Sequence, residues 1–238
     1  MEKIEAILEK KSLPETNALV RRERLSVASI NGPENFNLLD DREFTELLNR
    51  TGKIVEAAGQ LDCQLLVPVP SPAKEGMSQE ASIGRTAAAL SRMTARYGSR
   101  IRLGLEFLGM SDCSINNLHA AIETIRRVDN PNVGLVLDSF HMHLSDSRFS
   151  DINQLKAEQI FLVHVNDSER GHKRTLTDAN RLYPGEGEID LKAFASALDE
   201  IGYDYYLSLE LLRPAYWEQN AEEVAAKGRD SLNRIFGI

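Results

Sequence analysis

The stretch Val133–Asp146, VGLVLDSFHMHLSD, passes from an apolar run to a carboxylate and then to an imidazole. Its first five residues are typical of a strand that is buried on both faces. Asp138 follows that run, and His141 comes three residues later. Two explanations fit this order. The strand either presents polar side chains to a reaction site at its carboxyl end or ends in a helix N-cap.

Short apolar runs alternate with helix-like segments along the 238 residues of the chain. The predicted strands are Leu25–Ile30, Gln64–Val69, Ile101–Phe107, Val133–Leu137, Ile160–Val165 and Tyr206–Leu211. The predicted helices are Glu2–Glu9, Phe44–Leu61, Ala81–Tyr97, Ile115–Val128 and Leu191–Ile201. This alternation predicts an α/β fold with a parallel sheet. We expect one domain over residues 1–238, because an α/β barrel of this length is a single unit.

Charge and composition exclude several classes of protein. The formal net charge of −8 disfavours a general nucleic-acid-binding protein, which carries a basic face. Cys63 and Cys113 form no CxxC pair, so neither a disulfide framework nor a cysteine zinc site is expected. The sequence has no apolar signal core and no run of the ~18 apolar residues that a membrane helix needs. These features predict a cytoplasmic protein without a nucleic-acid or membrane partner.

Four of the six predicted strands carry a metal-type ligand at or near the carboxyl end. These residues are Glu106, Asp138, His164 and Glu210. The carboxyl ends of parallel strands meet at one rim when the sheet closes, so we expect the four side chains to converge. Three carboxylates and one imidazole suit a single divalent ion: Mn²⁺, Zn²⁺, Co²⁺ or Mg²⁺. Each residue alone also fits a cap, a core ion pair or a core histidine, but four such coincidences on successive strands favour the metal site.

Other polar residues are predicted to lie at the same rim. His141 is one helical turn beyond the strand end and should face the cavity, as a substrate contact or as support for a ligand. Arg170, six residues after His164, fits a substrate-binding role and a solvated loop charge equally well. Asp167 either orients a ligand or ends the strand, and Asn31 takes a rim position after the first apolar run.

Several motifs resemble one family. The segments LGLEFLG, NVGLVLDSFHMH, FLVHVNDSE, YPGEGEIDL and LSLELLRPAYW are similar to the xylose isomerase-like TIM-barrel superfamily of sugar phosphate isomerases and epimerases. Within it, the chain looks most like the inosose (2-keto-myo-inositol) isomerase family, from about Lys3 to the C-terminus. The resemblance implies a (β/α)8 barrel, here without its first strand–helix–strand segment. Exposed edges of such a barrel invite association, so we expect a homo-oligomer.

The resemblance also implies a chemistry. One divalent metal would lie at the mouth of the barrel, and its ligands fall on Glu106, Asp138, His164 and Glu210. The two glutamates would act as acid and base, and His141 and Arg170 match substrate contacts of related epimerases. The implied reaction isomerises or epimerises a sugar or cyclitol, above all a keto-inositol, by proton transfer through a metal-bound ene-diolate.

Three rival functions follow from the same residues. A dehydratase of the 3-dehydroshikimate type would use the same metal and general base to eliminate water. An abasic-site nuclease of the endonuclease IV type needs a three-metal cluster and a basic face, against which the five histidines and the charge of −8 argue. The third rival is a shortened barrel without catalytic activity.

Overall fold

The computed structural model describes residues 12–237, and a parallel sheet flanked by helices forms its centre. The strands are β1 (Ile30–Glu34), β2 (Leu65–Val69), β3 (Arg102–Glu106), β4 (Val133–Asp138), β5 (Ile160–Val165), β6 (Asp167–Ser168), β7 (Arg181–Leu182) and β8 (Leu207–Leu209). Six of them pair in the order β1–β2–β3–β4–β5–β8, with every pairing parallel. The strands β6 and β7 form a separate antiparallel ribbon. The predicted α/β fold with a parallel sheet is therefore confirmed.

Eight α-helices lie within residues 12–237. They are α1 (Leu13–Arg22), α2 (Asp41–Gln60), α3 (Gln79–Tyr97), α4 (Leu118–Val128), α5 (Ser139–Leu144), α6 (Leu191–Glu200), α7 (Pro214–Trp217) and α8 (Ala221–Phe236). The predicted helix Glu2–Glu9 lies outside the described residues. No helix within the described range is long and apolar enough to span a membrane.

Polar caps decide where the long helices begin. Asp40 accepts a hydrogen bond from the backbone N–H of Glu43 at 2.8 Å, and the Glu43 carboxylate accepts one from the Asp40 N–H at 2.9 Å. This capping box starts α2 three residues before the predicted Phe44. Asn117 caps α4 through the N–H of Ala120 at 2.9 Å, so that helix begins after the predicted start.

The predicted first strand, Leu25–Ile30, is wrong over most of its length. Pairing with β2 begins only at Ile30, which is opposite Leu66, and Leu25 is 66% exposed. An apolar run records a tendency to be buried but does not fix where pairing begins on an edge strand. The predicted strand Tyr206–Leu211 likewise shortens to β8, the other edge of the sheet.

The register of the sheet brings polar side chains to one edge. Asp138 on β4 lies opposite His164 on β5, and His164 lies opposite Ser208 on β8. Glu106 ends β3, and Glu210 directly follows the register pair Val165–Leu209. Every residue of β4 and β5 is buried, so the rim rests on a rigid apolar centre.

Candidate active site

Four side chains form a cluster at the carboxyl edge of the sheet. They are Glu106, Asp138, His164 and Glu210, and one ligand atom of each lies within 4.8 Å of the others. The first three are buried, and the side chain of Glu210 is 18% exposed. The four residues that were expected to converge from their places at strand ends do lie together.

His164 is the centre of this cluster. Its Nδ1 lies 2.7 Å from Oε1 of Glu106 and 3.3 Å from Oε2 of Glu210. Burial lowers the pKa of His164, but the two carboxylates outweigh burial and raise the pKa to about 9. In the metal-free chain at neutral pH, the imidazole is therefore protonated on both nitrogens and positively charged. Its Nδ1–H faces the two carboxylates.

Glu210 also holds its proton unusually tightly. Burial and the charge of Glu106 raise the pKa of Glu210 to about 8, although His164 and Arg181 act in the opposite direction. A carboxyl group whose pKa lies near neutrality is suited to exchange protons with a substrate. A cation that binds the cluster would displace two protons, one from His164 and one from Glu210.

Asp138 both caps a helix and belongs to the polar cluster at the carboxyl edge of the sheet. Its Oδ1 accepts hydrogen bonds from the backbone N–H groups of Phe140 at 2.6 Å and His141 at 3.3 Å, which caps α5. Its Oδ2 accepts a hydrogen bond from Nη1 of Arg181 at 2.6 Å. Burial alone would raise the pKa of Asp138, but the positive charge of Arg181 holds it well below its usual range.

Arg181 is the residue that the sequence analysis missed. The guanidinium is buried, and its Nη1 bridges Asp138 and Glu210, at 2.6 and 3.3 Å. Its Nη2 donates to Nε2 of His141 at 3.3 Å, and its Nε donates to Asp178 at 2.9 Å. The available signal was its place in a polar segment three residues before the PGEG turn. A turn that follows an arginine does not indicate which distant strands the arginine side chain will contact.

His141 is buried beside this arginine. Because a guanidinium only donates, Nε2 of His141 must be the acceptor, and Nδ1 carries the hydrogen. Nδ1 is buried and has no hydrogen-bond partner among residues 12–237. Burial lowers the pKa of His141, so the ring is neutral at pH 7. The Nδ1–H is thus a buried donor beside the cluster that lacks an acceptor within the described residues.

The other predicted rim residues differ from the cluster in burial or in their partners. Arg170 is exposed in its loop, and its role as a substrate contact stays a prediction. Asn31 is exposed on the edge strand β1, and its role stays a prediction. The carboxylate of Asp167 is buried and turned toward backbone N–H groups of residues 185–189.

The cluster fits a divalent ion in donor chemistry and in charge. Three carboxylate groups and one imidazole match the ligands that zinc and manganese take in proteins. Arg181 and the protonated His164 offset two of the three carboxylates, while Glu210 tends to keep a proton. A bound dication would take the place of these two protons, as metal binding requires deprotonated ligands.

This arrangement predicts how the stability of the metal-free chain depends on pH. His164 and Glu210 both have raised pKa values, about 9 and about 8, so the folded chain binds protons that the unfolded chain releases. The free energy of unfolding should therefore fall as the pH rises from 7 to 9. Urea denaturation in the presence of a chelator measures this trend. With Zn²⁺ or Mn²⁺ bound, the protons are already displaced and the fall should disappear. An unfolding free energy that is constant or rises over this range without metal would contradict the prediction.

Fold and site together define a class: α/β barrel proteins with a cluster that could hold a metal ion at the carboxyl ends of parallel strands. The chain belongs to the Xylose isomerase-like TIM barrel family, whose sequence profile matches residues 5–235. The six-stranded sheet is accordingly an incomplete (β/α)8 barrel.

Similar proteins indicate which kind of enzyme the chain is. The inosose isomerase of Bacillus velezensis is 31% identical over 238 residues, which is 99% of this chain and 84% of the relative. The inosose isomerase of Bacillus subtilis is 33% identical over 210 residues, 85% of this chain and 75% of the relative. The crystal structure of the IOLI protein with a bound zinc atom superimposes with a TM-score of 0.95 at 29% identity, covering 100% of this chain and 86% of that one. The chain is thus an enzyme of the isomerase and epimerase type.

Proposed function

We propose that the chain is a divalent-metal-dependent isomerase that acts on a keto-inositol (inosose). The observation that carries this proposal is the cluster of Glu106, Asp138, His164 and Glu210, whose ligand atoms lie within 4.8 Å of one another. The similarity to inosose isomerases supports the substrate class. The zinc atom bound in the similar solved structure supports a metal-binding protein.

The four cluster residues would hold the metal. When bound, a divalent ion acts as a Lewis acid toward a substrate carbonyl and raises the acidity of the neighbouring C–H. Zn²⁺, Mn²⁺, Co²⁺ and Mg²⁺ are all compatible with the oxygen and nitrogen donors of the site.

The two glutamates are proposed to move the proton. Glu106 and Glu210 approach His164 from strands that are separated by β4 and β5 in the sheet. One carboxylate removes the proton from the carbon that bears a hydroxyl beside the ketone, giving an ene-diol of the substrate. A proton returned to the former carbonyl carbon, with transfer of the hydroxyl proton between the oxygens, moves the carbonyl by one position.

Neighbouring groups are proposed to orient the substrate. The buried, unpartnered Nδ1–H of His141 is placed to donate to a substrate oxygen. Arg181 holds Asp138 and Glu210 in position through its Nη1. Asn31 and Arg170, which are both exposed, are proposed as further substrate contacts.

The test is an assay of the chelated and reloaded chain in D₂O. We expect the metal-loaded chain to convert 2-keto-myo-inositol to a positional isomer that carries deuterium at the former carbonyl carbon. The chelated chain should be inactive, and Zn²⁺ or Mn²⁺ should restore turnover. Epimerised ketohexoses would favour an epimerase, and loss of water by mass spectrometry a dehydratase. Neither turnover nor deuterium exchange with any of the four metals would contradict the proposal.

A further inference from the structure

We propose that Asp167 is a positioning residue that holds Arg181 in the active site through the loop at residues 185–189. This inference rests on the proposed function for its kinetic consequences only. Asp167 is 1% exposed, and both of its carboxylate oxygens bind backbone amides instead of a cation.

Four amide N–H groups converge on the Asp167 carboxylate. Each oxygen accepts two of them at 2.9 Å, and the donors are Ser168, Gly185, Gly187 and Ile189. Four donors satisfy the lone pairs of an ionised carboxylate. Asp167 is therefore not available to a metal or a substrate. Three of the four bonds tie the strand β6 to residues that follow Arg181 by four to eight positions.

The backbone on either side of Arg181 is tied to the same strand. Ser168 lies opposite Arg181 and Asp167 opposite Leu182 in the β6–β7 ribbon. The N–H of Glu188 donates to the carbonyl of Ser168 at 3.0 Å. Arg181 is thus enclosed between the ribbon pairing and the loop that Asp167 closes.

Gly187 allows this closure. A Cβ at this position would lie 2.1 Å from the Ser168 carbonyl oxygen and 2.4 Å from Oδ1 of Asp167. Both distances are far below van der Waals contact, so the loop approaches β6 only because residue 187 has no side chain.

Asp178, three residues before Arg181, binds the guanidinium directly. Its Oδ1 accepts a hydrogen bond from Nε of Arg181 at 2.9 Å, which fixes the plane of the guanidinium. Asp167 therefore fixes the position of the Arg181 backbone, and Asp178 fixes the orientation of the Arg181 guanidinium. The two Nη atoms are then aimed at Asp138, Glu210 and His141.

The first test needs no substrate. In Asp167→Asn, an NH₂ group opposes two of the amide donors, the loop loosens, and Arg181 shifts away from His141. Long-range ¹H–¹⁵N spectra of the metal-free chain should show a single Nδ1–H tautomer for His141 in the wild type. They should show a changed ¹⁵N signature in D167N and in Arg181→Met. Asp190→Asn removes a carboxylate that only caps α6 next to the loop, and it should leave His141 unchanged.

The second test is a double-mutant cycle on turnover of 2-keto-myo-inositol. D167N should lower kcat/KM by about 10–100-fold, as is usual for groups that orient a site residue. In the R181M background the same substitution should cost less than roughly twofold, because Asp167 acts through Arg181. A full effect of D167N in both backgrounds would overturn the proposal, as would an unchanged His141 signature in D167N beside a changed one in R181M.

A further variant distinguishes a folding defect of D167N from the loss of a positioning role. If D167N does not fold by circular dichroism, Gly187→Ala perturbs the same contact from the loop, and the same readouts apply. Failure of both variants to fold would assign Asp167 to the fold itself and overturn the positioning role. If the wild type does not turn over keto-inositol, the proposed function fails, while the His141 signature still decides the role of Asp167.

Discussion

Replacing Glu210 with glutamine should lower turnover of a keto-inositol by about 10²–10⁴-fold while the metal stays bound. Glutamine keeps an oxygen that can reach a metal, but it cannot accept the substrate proton. Glu210 is the more accessible of the two cluster glutamates, with 18% of its side chain exposed against 5% for Glu106. Burial and the charge of Glu106 raise the pKa of Glu210 to about 8. Glu210 is therefore the cluster carboxyl most suited to proton exchange near neutral pH.

The measurement is kcat on 2-keto-myo-inositol together with metal content after gel filtration. Glu188→Gln is the matched control, because the Glu188 side chain pairs with His143 outside the cluster at 3.2 Å. The control should keep near wild-type turnover. Near-normal turnover of E210Q with one metal per chain would exclude Glu210 as the acid or base.

Replacing Asp138 with alanine should remove the metal and also destabilise the fold. The variant loses a proposed ligand, the cap of α5 and the partner of the buried Arg181. Breaking a buried ion pair by removing one member costs about 3–5 kcal/mol, and the loss here should lie near the lower value because Asp178 and Glu210 still contact Arg181. We expect about one divalent ion per wild-type chain and close to none in the variant.

Asp138→Asn separates these effects. Asparagine keeps an oxygen that caps α5, so the contribution of the cap, about 1 kcal/mol, is retained while the charge is lost. Metal analysis by mass spectrometry and urea denaturation of the three proteins measure both quantities. One equivalent of metal in D138A, bound as tightly as in the wild type, would rule out Asp138 as a ligand.

Much of the fold was predictable because its signals are local. Buried parallel strands such as β4 and β5 appear as continuous apolar runs, and glycines or polar residues mark the ends of helices. The edge strand β1 was misplaced because the run Leu25–Ile30 is largely apolar but pairs with β2 only at Ile30. Pairing at an edge depends on a single neighbouring strand, which an apolar pattern does not identify.

The protonation of the site was not predictable from sequence. The raised pKa values of His164 and Glu210 arise because burial is combined with close charges: Glu106 lies 2.7 Å and Glu210 3.3 Å from Nδ1 of His164. Distances of this kind depend on register and on the curvature of the sheet. The sequence indicates only that the strands end in polar residues.

The sequence by itself determined the parallel α/β architecture and the meeting of Glu106, Asp138, His164 and Glu210, since parallel strands present their carboxyl ends at one edge. Only the tertiary structure decided which arginine joins them. Arg170 is nearer to His164 in the chain yet exposed, whereas Arg181 returns to the cluster through the β6–β7 ribbon. A loop takes its path from contacts between distant residues, and the sequence around an arginine does not record those contacts.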